Sequence, residues 1–95
     1  MTQHWIDDLG GTSRVARYLG VTPSTVSEWR TKSIPVDRAV PLEAACYGRI
    51  AVERMRPDLA WKRIPDPEWP HADGRPLHDV WNTGKLRLRA PETVV

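Results

Sequence analysis

Along the first sixty residues, apolar positions return at the three-to-four-residue spacing of helices that bury one edge. Trp5, Ile6 and Leu9 predict a short helix over residues 2–9, with Thr2 as its cap and Gly10-Gly11 as its break. Val15, Ala16 and Leu19 predict a second, with the Thr12 hydroxyl as N-cap and Gly20 at the stop, where positive φ is wanted. Thr22-Pro23 then restarts a helix: Thr22 caps it, and Pro23 suits a first turn in which its missing N–H costs nothing. Val26 and Trp29 supply the apolar edge of this third helix. Ser33-Ile34-Pro35 ends it, because the residue before proline avoids the helical region. A fourth helix is expected from Val36 or Asp37 to Tyr47, starting late enough that Pro41 falls in its first turn. Asp37 would cap it or complement its dipole, Val40, Ala44 and Tyr47 would line its inner face with Leu42 and Cys46 extending it, and Gly48 would stop it. Val52, Met55 and Leu59 predict a short fifth helix between Arg49 and Arg56 that plugs the core, limited by Pro57.

The pattern changes after residue 57. Six of the nine prolines lie from Pro57 onward, with three of the five tryptophans, so residues 61–71 cannot be helical and should run extended. Disordered tails are poor in aromatic residues, which argues that this segment docks in part on the helices. Leu77–Trp81 and Lys85–Arg89, separated by Asn82-Thr83-Gly84, read as a hairpin, the second run alternating Leu86 and Leu88 with Lys85, Arg87 and Arg89. Such a hairpin is marginal alone and needs the helical body or a second subunit beneath it. The expected organisation is therefore a helical domain over residues 1–60 and an extension over residues 61–95.

Composition adds exclusions more than assignments. No run of about 18 apolar residues is present, which argues against a membrane span and for a cytoplasmic protein. Cys46, the only cysteine, sits among Ala44, Ala45 and Tyr47 and reads as a packing thiol in a reducing compartment. The net charge of +2 points to no partner by itself. Its distribution says more: residues 12–32 carry Arg14, Arg17, Arg30 and Lys32 against Glu28 alone, a local excess of the kind nucleic-acid binding needs. His71, Asp73, His78 and Asp79 are the one enzyme-like set, but their spacing matches no closed metal site, and loop polarity explains them. No cofactor and no enzymatic activity are expected.

Two short helices that cannot stand alone, joined by a glycine turn, are the layout of a helix-turn-helix whose second helix enters the DNA major groove. At Val15, Ala16, Leu19, Gly20, Val21, Val26 and Trp29 the sequence resembles the Cro/repressor class of phage helix-turn-helix proteins. With Leu9-Gly10-Gly11, Ile34-Pro35, Cys46 and Arg56-Pro57-Asp58 added, it is similar more narrowly to the YdaS/Cro-like regulators of prophage regions, over residues 3–60. The resemblance implies an all-α, lambda-repressor-like domain of four to five helices, with residues 2–9 bracing the other two. Carried over by position, it implies that Thr22, Pro23, Ser24, Ser27, Glu28 and Thr31 read bases and that Thr12, Ser13, Arg14, Arg17, Arg30 and Lys32 contact phosphates. Arg14 or Arg17 pairing with Asp7 or Asp8 is the competing reading. The second helix departs from the family in having no Gln at Pro23 or Ser24, which removes an adenine-reading contact.

Two functions follow from this sequence. One is a Cro-like repressor that binds a palindromic operator in double-stranded DNA as a homodimer. The other is an antitoxin or antirepressor, a protein-interaction module on the same scaffold that binds through its Trp-rich extension.

Overall fold

Short helices and a small sheet form where apolar edges find a common core, with side-chain caps only on the first and third helices. The computed structural model describes residues 3–83. Thr2 and the Lys85–Arg89 run fall outside them. The order is α1 (Trp5–Asp8), α2 (Thr12–Leu19), α3 (Pro23–Glu28), α4 (Val36–Ala45), α5 (Val52–Met55), β1 (Trp61–Ile64) and β2 (Arg75–His78), with a further helical turn over residues 80–83. The chain is thus mostly helical rather than all-α, because the extension contributes a two-stranded antiparallel sheet.

The short helices survive by packing. Ile6, Leu9, Val15, Val26, Trp29, Ile34, Leu42, Cys46, Val52 and Met55 close into one core, with Leu19, Val21 and Trp61 against its rim. Each large side chain fully buried there contributes about 1.5–3 kcal/mol, which offsets the nucleation cost of such short helices.

Several boundaries differ from the sequence expectation, each for a local reason. In α1 the cap is His4, whose Nδ1 accepts from the Ile6 N–H at 3.1 Å. Thr12 is the first residue of α2 rather than its cap; Gly11 takes the cap position without a side-chain bond, and the Thr12 hydroxyl accepts from Arg30 instead. The α3 helix ends at Glu28, well before Ser33: Trp29 is buried in the core, and the N–H groups of Trp29, Arg30 and Thr31 turn to the carbonyls three residues back, on Val26, Ser27 and Glu28. Pro41 lies inside α4, not in its first turn. It removes the bond to the Asp37 carbonyl, a disruption of about 3 kcal/mol in an ordinary helix. Ala39, Leu42 and Glu43 are all completely buried, which holds the helix through it.

That register also turns the expected inner face of α4. Ala39, Leu42, Glu43 and Cys46 point inward, while Tyr47 is 82% exposed. Tyr47 occupies the left-handed position that glycine usually takes after a helix, at φ 57°. Its N–H donates to the Ala44 carbonyl and that of Gly48 to the Glu43 carbonyl, the paired bonds of a Schellman ending.

The sheet is also paired differently from the expected hairpin. Trp61, Lys62, Arg63 and Ile64 face His78, Leu77, Pro76 and Arg75 across an antiparallel ladder, with residues 65–74 as the connection. Leu77 and His78 therefore belong to a strand, but their partner precedes them; Thr83, expected in a turn, is buried. Its hydroxyl accepts from the Ala60 N–H at 2.7 Å and lies 3.1 Å from His78 Nε2. Gly74, at φ 98°, lets β2 start close against β1: a Cβ there would lie 2.0 Å from the Ile64 carbonyl oxygen.

An ionic cluster docks this sheet on the helices. The Glu43 carboxylate, fully buried on α4, accepts from the Val52 N–H at 2.9 Å, from Arg63 Nη1 and Nη2 at 2.6 and 2.7 Å, and from Trp69 Nε1 at 2.6 Å. Arg63 also bonds Glu53 and the Gly74 carbonyl. Burial alone would raise the Glu43 carboxyl, but the donors from Arg63, Trp69 and Val52 outweigh it and hold it below the ordinary glutamate value.

Candidate nucleic-acid interface

The α2–turn–α3 unit is built as its sequence suggests. Gly20 takes the left-handed conformation at φ 67°, ψ 32°, and the Val21 N–H bonds the Ala16 carbonyl across the helix end. Thr22 caps α3: its hydroxyl accepts from the Thr25 N–H at 3.3 Å, with Pro23 at the first turn. Val15, Ala16 and Val26 are buried between the two helices and their neighbours.

This packing fixes what α3 shows outward. Pro23, Ser24, Ser27 and Glu28 are all exposed. Ser24, Ser27 and Glu28 fall at i, i+3 and i+4 and share one face, opposite Val26. Among the described residues, the side chains of Ser27 and Glu28 hold no hydrogen bond, so both are available to a ligand. Ser24 is near the Thr22 hydroxyl at 3.2 Å, and Thr22 also meets Thr25 Oγ1 at 3.0 Å, so Thr22 is engaged in the cap. Thr31 lies past the helix, its hydroxyl donating to the Glu28 carbonyl at 3.3 Å.

The residues expected at phosphates divide into two groups. Ser13, Arg14, Arg17 and Lys32 are exposed, and none has a side-chain hydrogen bond or ion pair among the described residues. Arg14, Arg17 and Tyr18 line a shallow depression of about 330 Å³ on α2. The Arg14 stem lies over Gly10, where a Cβ would come within 2.8 Å of its Cδ. The second group is Thr12 with Arg30. Arg30 Nη2 and Nη1 donate to the two Asp7 carboxylate oxygens at 2.6 and 3.1 Å, and its Nε and Nη2 reach Thr12 Oγ1 at 3.4 and 3.3 Å. Hydrogen bonding from Arg30 holds the Asp7 carboxyl below the usual carboxylate range, and Asp7 in turn raises Arg30. Neither Arg14 nor Arg17 pairs with these acids: Asp7 takes Arg30, and Asp8 takes Arg54.

Asp7 is the residue that sequence reasoning did not assign to the site. It lies 23 positions from Arg30 on another helix, and no periodicity links them. Arg56-Pro57-Asp58 proves structural: Arg56 forks onto Asp58 at 2.9 and 2.8 Å and donates to the Ile34 carbonyl at 2.8 Å, tying the chain after α3 to the chain after α5.

The histidine and aspartate set of the extension is dispersed. His71 Nδ1 accepts from the Asp73 N–H, His78 faces Thr83, and Asp79 bonds Asn82. His71 does approach Glu43 and Glu53, all three within 4.8 Å, but both carboxylates are already bonded to the Arg63 guanidinium. No helix among the described residues is long and apolar enough to cross a membrane.

Comparison with known proteins adds to this geometry. The family model described as "Bacterial toxin YdaS" matches residues 2–64, from the first helix through β1. A curated relative from Escherichia coli strain K12, described as "Putative transcriptional regulator YdaS", is 38% identical over 58 residues, covering 59% of this chain and 59% of the relative. The chain thus spans about three-fifths of that relative's length. No solved structure matches it significantly.

Proposed function

The chain belongs to the YdaS family, and from that premise we propose that it is a DNA-binding transcriptional regulator, a Cro-like repressor that binds a palindromic operator as a homodimer. The observation that carries the reading is the exposed face of α3, where Ser24, Ser27 and Glu28 stand together on a capped, packed helix, while Arg14 and Arg17 of α2 are exposed and have no side-chain partner among the described residues. Hydroxyls and a carboxylate on the outer face of a groove-facing helix can meet base edges: Ser24 and Ser27 as donors or acceptors, Glu28 as acceptor from a cytosine amino group, and the Pro23 ring against a thymine methyl. Arg14, Arg17, Ser13 and Lys32 would hold the phosphates, which positions the helix without specifying sequence. Two-fold symmetry would set half-sites about one helical turn apart, roughly 34 Å. Repression would follow from occupancy of a promoter, in the cytoplasm, with no cofactor and no catalysis. The description of the relative as a putative transcriptional regulator supports this reading.

The description of the family as a toxin favours a second reading. Here the chain is one half of an interacting pair, and the sheet and tryptophans after residue 60 carry a protein partner. Mobility shift with DNA flanking the gene, over a salt series, separates the two. A regulator gives selective binding that falls steeply with salt; Arg17→Ala weakens all sequences, and Ser27→Ala relaxes selectivity at about 1–3 kcal/mol. Indifference to DNA together with a stable hetero-complex would overturn it.

A further inference from the structure

Arg30 differs from the other cations of the motif. It sits one residue past the C-cap of α3, at the foot of the helix that carries the candidate base-reading face. A guanidinium has five N–H donors, and four are already directed: two to the Asp7 carboxylate in a fork, two to the Thr12 hydroxyl. Asp7 belongs to α1 and Thr12 opens α2, so this one side chain bonds both of the other helices of the motif. A phosphate could engage Arg30 through more than its one remaining N–H only by displacing a carboxylate that holds it in bidentate geometry, the strongest form of such a pair. Among the described residues, Arg14 and Arg17 face no such competitor.

We infer that Arg30 is a positioning residue: with Asp7 and Thr12 it sets how the reading helix sits against α1 and α2, and it leaves the phosphates to Arg14 and Arg17. The inference rests on the DNA-reading role proposed above. It separates two properties that a phosphate contact would couple, because a misplaced reading helix loses selectivity while its electrostatic grip on any duplex stays.

The test uses the full chain and two probes: the duplex that the wild-type protein enriches from a random-sequence pool, and an unrelated duplex of the same length. Binding of wild type, Arg17→Ala, Arg30→Ala, Arg30→Lys and Asp7→Asn is measured over a salt series, with circular dichroism confirming the helices in each. Arg17→Ala should weaken both probes and lower the salt slope by about one. Arg30→Ala and Asp7→Asn should each weaken the enriched duplex several-fold, spare the unrelated one and keep the wild-type slope. Their double variant should be no worse than either alone, since each removes the same contact. Arg30→Lys keeps the charge but cannot form the fork, so it should behave like Arg30→Ala. A salt slope lowered by Arg30→Ala, wild-type behaviour of Arg30→Lys, or tighter binding by Asp7→Asn would each overturn the inference and make Arg30 a phosphate contact. Failure of the wild-type protein to enrich any sequence would instead overturn the regulator reading beneath it.

Discussion

The helix-turn-helix unit and the C-terminal sheet are held to the same core by different forces. The first is apolar at its centre: Val15, Ala16, Val26 and Trp29 turn inward, and polar bonding stays at its surface, in the Thr22 cap, the Gly20 turn and the exposed Arg30–Asp7–Thr12 cluster. The second is polar. Its strands meet the helices through the buried Glu43 and through Arg63 and Trp69, and the Thr83 hydroxyl ties the turn after β2 to Ala60, just before β1. Apolar packing tolerates gradual change, because lost contact area is lost in proportion. A buried carboxylate with four donors does not: removing one partner leaves a charge with nowhere to go. The comparison teaches that the element with the candidate chemistry stands on the forgiving half of the molecule.

The sharpest way to break this contrast is Arg63→Ala. It leaves Glu43 buried without its counter-ion and should cost about 3–5 kcal/mol in urea unfolding. Replacing the pair together, Glu43→Leu with Arg63→Met, should return most of that loss. If the single variant were as mild as the double, the sheet would not depend on the ion pair. Leu42→Ala, next along α4 but purely apolar, should cost about 2–5 kcal/mol according to how far the site collapses.

Acid probes the same contrast without mutation. Glu43 is held below its ordinary value of 4.5, so its contribution is complete above that pH and is lost as pH falls through the lowered folded-state value. Stability should therefore decline on the acid side of the normal glutamate range, and Glu43→Gln should flatten that decline. A decline of equal steepness in the variant would move the effect to other acids.

Smaller effects belong to the helix ends. Thr22→Ala removes the cap of α3 and should cost about 1 kcal/mol, with selectivity for DNA falling alongside. Tyr47→Gly should act in the opposite direction. It relieves a left-handed tyrosine with little packing to lose, and a gain of about 0.5–1 kcal/mol in thermal unfolding is expected.

Legibility divides along the same line. Val15, Ala16, Val26 and Trp29 were readable because apolar burial leaves a period in the sequence, and Gly20 and Thr22-Pro23 because turn and cap chemistry is local. Thr12 has the hydroxyl of a cap, but that hydroxyl serves Arg30, eighteen residues away. Pro41 signalled a late helix start only because the burial that overrides it, at Ala39, Leu42 and Glu43, is tertiary. Glu43 itself carries no local signal of its burial. Nothing in its neighbourhood names Arg63 or Trp69, 20 and 26 positions on. The hairpin expected at Asn82-Thr83-Gly84 followed a turn signal, whereas the real partner of Arg75–His78 lies across residues 65–74. In the candidate site, exposure of Ser24, Ser27 and Glu28 followed from periodicity, but the division of the arginines between Asp7, Asp8 and solvent did not.

The reach of the Glu43 cluster along the chain also bears on how the molecule assembles. The α2–α3 unit closes over about a dozen residues, so little loop entropy opposes it. Glu43 must instead wait for Val52, Arg63 and Trp69 to arrive from progressively farther away, and a carboxylate cannot be desolvated favourably before its donors are in place. The cluster should thus form on the native side of the folding barrier. Conservative changes at Arg63 should speed unfolding and barely slow folding, whereas changes at Val26 should do more of the reverse. Stopped-flow measurement of both limbs reads this directly. On that ordering, what the cluster chiefly governs is how long the sheet, once docked, stays on.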